Sequence, residues 1–278
     1  MRWLGVLFVV AVLAIWQAVS VFGLVDGALL PPVTTILAHW IVALTGGTLL
    51  GALGESLARM ALGYASAAIV GITLGILMGR VRIIWALFEP VLELLRPVPI
   101  PAFIPLLILF LGVQSPLKVA VVFVGALFPI VLATYAGVRA LPSTLSETAI
   151  TFRLTWWQTV REIVVPAVAP AIVVGLRTSL AIALIVEVVA EMIAGTGGIG
   201  YYILQAEEAL RVVDMYVGIF TLAVVGYALN FGFLAIERVV IPWHAGGAHR
   251  AAPDARVAVS ARPASRPGSS TRVARARR

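Results

Sequence analysis

The sequence predicts an all-α integral membrane protein of about six transmembrane helices, with both chain ends on the cytoplasmic side. Three observations carry that prediction. Of 278 residues, 61% are hydrophobic and only 12% are charged, about half the charged fraction of an ordinary soluble domain. Apolar runs long enough to cross hydrocarbon, about 20 residues for roughly 30 Å, recur from one end of the chain to the other. The basic residues between those runs crowd alternate loops, as the positive-inside rule requires. The chain has no Cys, which excludes disulfides, thiolate metal sites and a cysteine nucleophile.

The formal charge of +7 is a property of the C-terminal segment. Residues 245–278 hold eight arginines against one acid, Asp254, and the first 244 residues balance at 12 basic and 12 acidic groups. This tail is rich in Ala, Arg, Pro and Ser with no apolar period, so it reads as disordered. The expected organisation is an N-terminal anchor helix and outer loop over 1–56, a core over 57–243 with a long inner loop at 139–168, and the tail over 244–278.

Trp3 to Leu24 forms the first span, with no charge inside it. Arg2, the apolar run and Ala18-Val19-Ser20 also fit a signal peptide, but the run continues past that point and favours an uncleaved anchor. Leu57 to Gly79 is the second span. Its small residues (Gly63, Ala65, Ser66, Ala67, Ala68, Gly71, Gly75) suit close helix packing, and Arg59 near its start is expected to snorkel to the headgroups. Ile83 to Leu95, carrying Glu89 and Glu93 at i,i+4, reads as a helix at the membrane surface. Pro97, Pro99, Pro101 and Pro105 then punctuate a short, irregular third span over Ile100 to Val113. Leu117 to Val138, Ala169 to Ala194 and Tyr216 to Ile236 complete the six. This arrangement places Arg80, Arg82, Arg96, Arg139, Arg153, Arg161, Arg238 and the tail inside, and leaves the outer side Lys118 and Arg211 at span edges, with Arg59 nearby.

The inner loop from Arg139 to Val168 is neither apolar enough to cross nor low in pattern. Pro142 and Ser143 start a helix, and Glu147 complements its dipole. Leu145, Ala149 and Phe152 form a short apolar stripe. After Thr155 as N-cap, Trp156, Val160 and Ile163 repeat it until Pro166. The result is a hairpin of two short amphipathic helices joined near Arg153 to Thr155. Pattern alone leaves two readings of it, a docking element or a lipid-facing pair.

The hairpin resembles the EAA loop of ABC importer permeases, whose pattern is E-A-A, three residues, G, nine residues, I-x-L-P. Here Glu147-Thr148-Ala149, Arg153 and Ile163-Val164-Val165-Pro166 keep every spacing. Thr148, Arg153 and Val165 replace the family's Ala, Gly and Leu. Arginine at the glycine position takes up a turn that glycine enters without strain. From about Leu30 to Trp243 the chain also resembles the nitrate/sulfonate/taurine-type permeases, through Leu30-Pro31-Pro32 ahead of a loop helix, Pro97 to Gly112, Leu127-Phe128-Pro129-Ile130 and Ile199-Gly200-Tyr201-Tyr202-Ile203.

That resemblance implies a multi-pass subunit of the bacterial inner membrane. It pairs with a second permease copy, a homodimer being expected because one gene can supply both halves; a cytoplasmic ABC ATPase dimer drives it, and an external binding protein delivers substrate. ATP and Mg are bound by the ATPase, and this chain is expected to hold no cofactor. The resemblance places the ATPase contacts at Glu147, Ala149, Phe152, Arg153, Leu154 and Thr155, with Ile163 and Pro166 completing the motif.

The remaining constellations support no catalytic or metal site. The only lysine, Lys118, follows Leu117, so there is no P-loop. Gly195-Thr196-Gly197-Gly198-Ile199-Gly200 satisfies a dinucleotide fingerprint literally, but it follows a membrane helix rather than a strand. It reads as an outer turn into a short helix, Tyr201 to Leu210. His39, His244 and His249 are scattered, while Trp156, Trp157 and Trp243 suit interfacial belts. Glu187 and Glu191, at i,i+4 on the fifth span, are costly intramembrane acids. They are read as lining a path, facing a partner helix or relaying protons, with Glu191 alternatively hydrated at the outer interface. Arg177, about ten residues or ~15 Å away along the helix, is expected to snorkel inward. The rival reading is a secondary transporter or channel using Glu187 and Glu191 as a proton or cation relay. Membrane lipids are expected partners of the basic tail, and nucleic acid is not.

Overall fold

The computed structural model describes residues 2–241, and the tail, Trp243, His244 and His249 lie outside the described residues. The described chain is helical, in the order α1 (Arg2–Val21), α2 (Val33–Thr45), α3 (Thr48–Arg80), α4 (Arg82–Leu95), a 3-10 turn (Ile100–Phe103), α5 (Ile104–Leu111) and α6 (Ser115–Arg139). It continues with α7 (Ser143–Thr151), α8 (Trp156–Gln158), a π-helical turn (Thr159–Val164), α9 (Val165–Ala194), α10 (Ile199–Glu208) and α11 (Val212–Val240). Five helical units are long and apolar enough to cross a membrane, and α4 with α5, bent by 97°, makes a sixth.

The core is a three-helix layer of α3, α6 and α9, and glycine sets its spacing. On α3, Gly63, Ala67, Gly71, Gly75 and Gly79 recur every fourth residue and form one stripe. Gly63 meets Val122, Gly71 meets Ile130, Gly75 meets Thr134 and Gly79 meets Val138, all on α6. Both residue numbers rise together along this contact, so α3 and α6 run parallel. A Cβ at Gly75 would stand 2.6 Å from Thr134 Cβ, and one at Gly63 would stand 2.7 Å from the Val119 carbonyl. The backbones touch because side chains are missing, which is how helices associate in lipid without a hydrophobic drive. Against α9 the order reverses: Gly137 meets Ala171, and Gly175 meets Ala133. The parallel pairing also obliges residues 81–114 to return the chain to the other side. The bent α4–α5 unit does this, and it differs from the expected third span of Ile100 to Val113 beside a separate surface helix: α5 has only eight residues and is long enough to cross only when taken together with α4.

The second span begins earlier than its hydropathy indicates, at Thr48 rather than Leu57. At 33 residues, α3 is about 50 Å long and overhangs the hydrocarbon on its outer end. Both α1 and α11 are peripheral and largely exposed. The attachment of α1 runs through Trp16, whose indole N–H donates to the Pro31 carbonyl at 3.1 Å, and Ser20, whose hydroxyl donates to Leu30 O at 2.7 Å.

Candidate functional site

Two regions carry the chemistry that the sequence singles out, one at each end of α9. At the inner end, α7 closes on a left-handed turn. Leu154 N–H donates to Ala149 O and Arg153 N–H to Ile150 O, both at 3.0 Å, the paired bonds of a Schellman motif. Its left-handed residue is Arg153, with φ of 50°. The position that the family fills with glycine is therefore a true left-handed position, and arginine occupies it at a steric cost of about 1 kcal/mol. Thr155 then caps the next helix as predicted: its backbone N–H donates to Gln158 Oε1 at 2.8 Å, and its hydroxyl accepts from Gln158 N–H at 3.4 Å.

The predicted end of this second helix at Pro166 does not occur. Trp156 to Ala194 forms one helical unit of 39 residues. Within it the π turn moves the hydrogen bonding to i→i−5, with Val165 N–H donating to Val160 O. Pro166 then falls in the first turn of the resumed α-helix, where its missing N–H costs little. The stripe that packs also differs from Trp156, Val160 and Ile163. Val160, Val164 and Val168 are buried against Ile76 of α3 and Val138 of α6, whereas Ile163 is half-buried and Trp156 is exposed. The cause is the wider π turn, which rotates the following residues relative to an α-helical count.

Of the other predicted coupling residues, Ala149 is buried, Leu154 is half-buried, and Glu147, Arg153, Thr155 and Pro166 are exposed. Phe152 belongs to the exposed tip and not to a packed stripe with Leu145 and Ala149, because the chain turns there. With Ile150, Trp156 and Trp157 it makes an exposed apolar tip, Ile150 and Phe152 being 76% and 72% exposed.

At the outer end, Glu191 is fully buried, which corrects the hydrated-interface reading. One carboxylate oxygen accepts from Ser56 Oγ at 2.7 Å and Arg59 Nη1 at 3.1 Å, and the other accepts from Gly200 N–H at 2.8 Å. Ser56 Oγ in turn accepts from Ile199 N–H at 2.8 Å. Arg59 also donates to the Gly197 carbonyl at 3.2 Å and pairs with Glu55. It does not snorkel; its guanidinium is turned inward, because the long α3 places it beside the carboxylate of α9. Glu191 thus fills the N-terminus of α10, where the free N–H groups and the dipole favour an anion. The literal dinucleotide fingerprint is a helix N-terminus already occupied by the chain's own carboxylate. Gly198, at φ of 103°, has room for that carboxylate only because it lacks a Cβ.

One turn inward, Glu187 is also fully buried, and neither of its carboxyl oxygens has a hydrogen-bond partner among the described residues. Lys118, predicted at a span edge, is likewise buried, and its ammonium donates to the Val113 carbonyl at 2.7 Å. Arg177 reaches Asn230 of α11 at 3.3 Å rather than the inner headgroups. Sequence reasoning missed Ser56 as a partner of Glu191. The signal was the i,i+3 spacing of Ser56 and Arg59 on one helix face, cut off by starting the span at Leu57.

Comparison with known proteins gives the class. Residues 71–244 match the family described as binding-protein-dependent transport system inner membrane component, and the chain belongs to that family of ABC importer permeases. A putative aliphatic sulfonates transport permease, SsuC of Bacillus subtilis, is 34% identical over 239 residues, 86% of this chain and 87% of that protein. The taurine transport system permease TauC of Escherichia coli is 28% identical, covering 84% and 86%. A nitrate import permease, NrtB of Synechocystis, is 29% identical, covering 67% and 68%. In fold, the chain resembles the methionine ABC transporter MetNI solved in inward-facing conformations. The TM-score is 0.63 at 19% identity, covering 70% of this chain and 97% of that one. The chain is a multi-pass inner-membrane permease subunit, of a family that works with an ATPase and a binding protein.

Proposed function

We propose that this permease imports a small oxyanion or zwitterion of the nitrate, sulfonate or taurine kind, delivered by an external binding protein and driven by a cytoplasmic ATPase dimer. Substrate class is inferred from the similar permeases, which are named for sulfonates, taurine and nitrate. Two copies of the chain enclose the path, and ATP and Mg stay with the partner ATPase. The observation that carries the mechanism is the 39-residue helical unit, which joins the coupling hairpin at its inner end to the Glu191–Arg59 clamp at its outer end. At roughly 1.5 Å per residue it is about 58 Å long, enough to carry a displacement across the whole bilayer. Closure of the ATPase dimer pushes on the hairpin tip at Glu147, Ala149, Phe152, Arg153, Leu154 and Thr155. Ile163 and Pro166 lie in the segment that transmits this push to α9, which tilts against α3 and α6. Glu191 acts in this scheme as the outer anchor of the lever, and Glu187 is the acid left available to the path.

Reconstitution in vesicles with the ATPase and binding protein tests this reading. Uptake is expected to require ATP and the binding protein and to survive collapse of the proton gradient. Uptake that persists without the ATPase and stops when the gradient collapses would instead establish a secondary transporter built on Glu187 and Glu191.

A further inference from the structure

Between α9 and α11 runs a groove with a cavity of about 310 Å³, in which Arg177 and Asn230 share the lining with Leu180, Leu184, Ile185 and Leu229. Helix register gives the depth of Arg177. Gly79 meets Val138, Gly137 meets Ala171 and Gly175 meets Ala133, so Arg80 and Arg139 stand level with about Ala169 of α9. Arg177 lies eight residues further out, about 12 Å into the hydrocarbon from that level. On the other wall, a Cβ on Gly226 would stand 3.3 Å from Leu184. Since α11 runs inward and α9 outward, Asn230 is level with about Leu180, nearer the bilayer centre than Arg177. Arg177 Nε donates to Asn230 Oδ1 at 3.3 Å. The guanidinium is thus held towards the centre, although side chains on α9 lean towards its inner end and the headgroups. Among the described residues its Nη groups have no hydrogen-bond partner and it forms no ion pair, not even with Glu237, two turns further along α11. A guanidinium keeps its charge in any protein setting, and inside a membrane such a group faces a partner or water-filled space rather than lipid.

We propose that Arg177 and Asn230 form an intramembrane station for the transported substrate, and that this substrate is an alkanesulfonate. Its sulfonate accepts from the free Nη groups, and its alkyl chain lies against Leu180, Leu184, Ile185 and Leu229. The inference rests on the import reading above and narrows it. Asn230 positions the guanidinium by holding Nε, which leaves the Nη edge for two anion oxygens. The apolar lining favours an alkyl body over nitrate, which has none. It also disfavours taurine, because the one side-chain acceptor in the lining, Asn230 Oδ1, is already engaged by Arg177. A lipid phosphate at the inner surface lies on the wrong side, since the bond to Asn230 turns the guanidinium away from it. The groove of each copy opens on the path between the two.

The first test titrates butanesulfonate into the full-length permease in detergent and follows the thermal unfolding midpoint. The wild-type midpoint is expected to rise. Arg177→Gln should weaken the apparent affinity about tenfold or more, through loss of a charge-assisted pair, and Arg177→Lys should fall between, because the planar fork is gone. Arg96→Gln, at the exposed end of α4, should leave the response unchanged. Butanesulfonate should bind more tightly than methanesulfonate, by about fourfold per buried methylene, and more tightly than taurine. No response in the wild type, or an equal one in Arg177→Gln, overturns the site; equal affinity for methanesulfonate or taurine overturns the alkyl assignment. If Arg177→Gln fails to insert, Asn230→Asp decides: its carboxylate would occupy the guanidinium, so binding should be lost, and retained binding overturns the site. Dissociation of the Arg177→Gln dimer in native mass spectrometry, with no sulfonate effect on the wild type, assigns the guanidinium to the contact between copies and overturns the station. Uptake in vesicles with the ATPase and binding protein separates the two readings. A wild type that binds butanesulfonate without importing it under ATP ends the import reading and leaves the groove an anion site. Undiminished import by Arg177→Gln overturns the station with the import reading intact.

Discussion

Arg153 shows how one residue serves two roles. Its backbone holds the left-handed position of the hairpin turn and its side chain stands exposed at the tip. The variants Arg153→Gly and Arg153→Glu separate the two. Glycine should stabilise the turn by about 0.5–1 kcal/mol and weaken ATPase association only if the side chain makes contact, whereas Arg153→Glu should abolish association with insertion intact. Co-purification in normal ratio of the Glu variant with its ATPase would sink the docking role. At the outer end, Arg59→Ala leaves the Glu191 carboxylate buried without its cation and should cost about 3 kcal/mol or more, read as a lowered unfolding midpoint in detergent. Glu187→Gln should leave the midpoint unchanged or raise it, since no donor is lost from that carboxyl group. A large drop for Glu187→Gln would mean that its acid form holds a partner in the assembled dimer. The presence of both acids was legible in the sequence, and their different fates were not. Partnership depends on Ser56, Arg59 and Gly200, which lie far from Glu191 or across a turn from it.

Among the elements, α3 carries the most weight. Its four-residue glycine stripe was visible as a cluster of small residues, but the partner was not, since nothing local to residues 63–79 names α6. Parallel contact with α6 puts each glycine of that stripe against a side chain 59 residues on, as Gly63 with Val122 and Gly79 with Val138. Gly75→Leu should therefore push the two helices apart and destabilise the fold by about 1–3 kcal/mol or more. Gly54→Leu, on the same helix but with open space around its Cβ position, should change the midpoint little. Equal effects of the two would show that helix propensity, not close approach, governs these sites. The hairpin was legible to the residue at its N-cap, Thr155, because a capping box is written locally. Its continuation through Pro166 was not. A proline that ends a helix and one that follows a π turn have the same sequence signature, and only the packing of Val160 and Val164 on α3 and α6 distinguishes them.

For the whole molecule, the expected assembly is a homodimer, and native mass spectrometry of the purified permease should find two copies per particle; a stable one-to-one pairing with a different permease would replace that reading. Truncation after Trp243 is expected to preserve transport, because residues 1–243 keep the balance of 12 basic and 12 acidic groups and contain every helix from α1 to α11. Loss of transport in a stably inserted truncation would give the tail a working part. Composition, hydropathy and basic-residue placement were sufficient for the membrane class, for a count of about six crossings and for the location of the hairpin between α6 and α9, because each depends on the local cost of placing a residue in lipid or water. Tertiary structure alone decided that Arg59 is an internal ion-pair partner rather than a snorkelling cation, that Lys118 is buried, and that the second helix of the hairpin and the outer clamp share one helical unit. Those outcomes depend on which helices meet. In a bilayer that choice is made by backbone contact between small residues and by pairing of buried charges from distant segments, and neither leaves a periodic trace in the sequence.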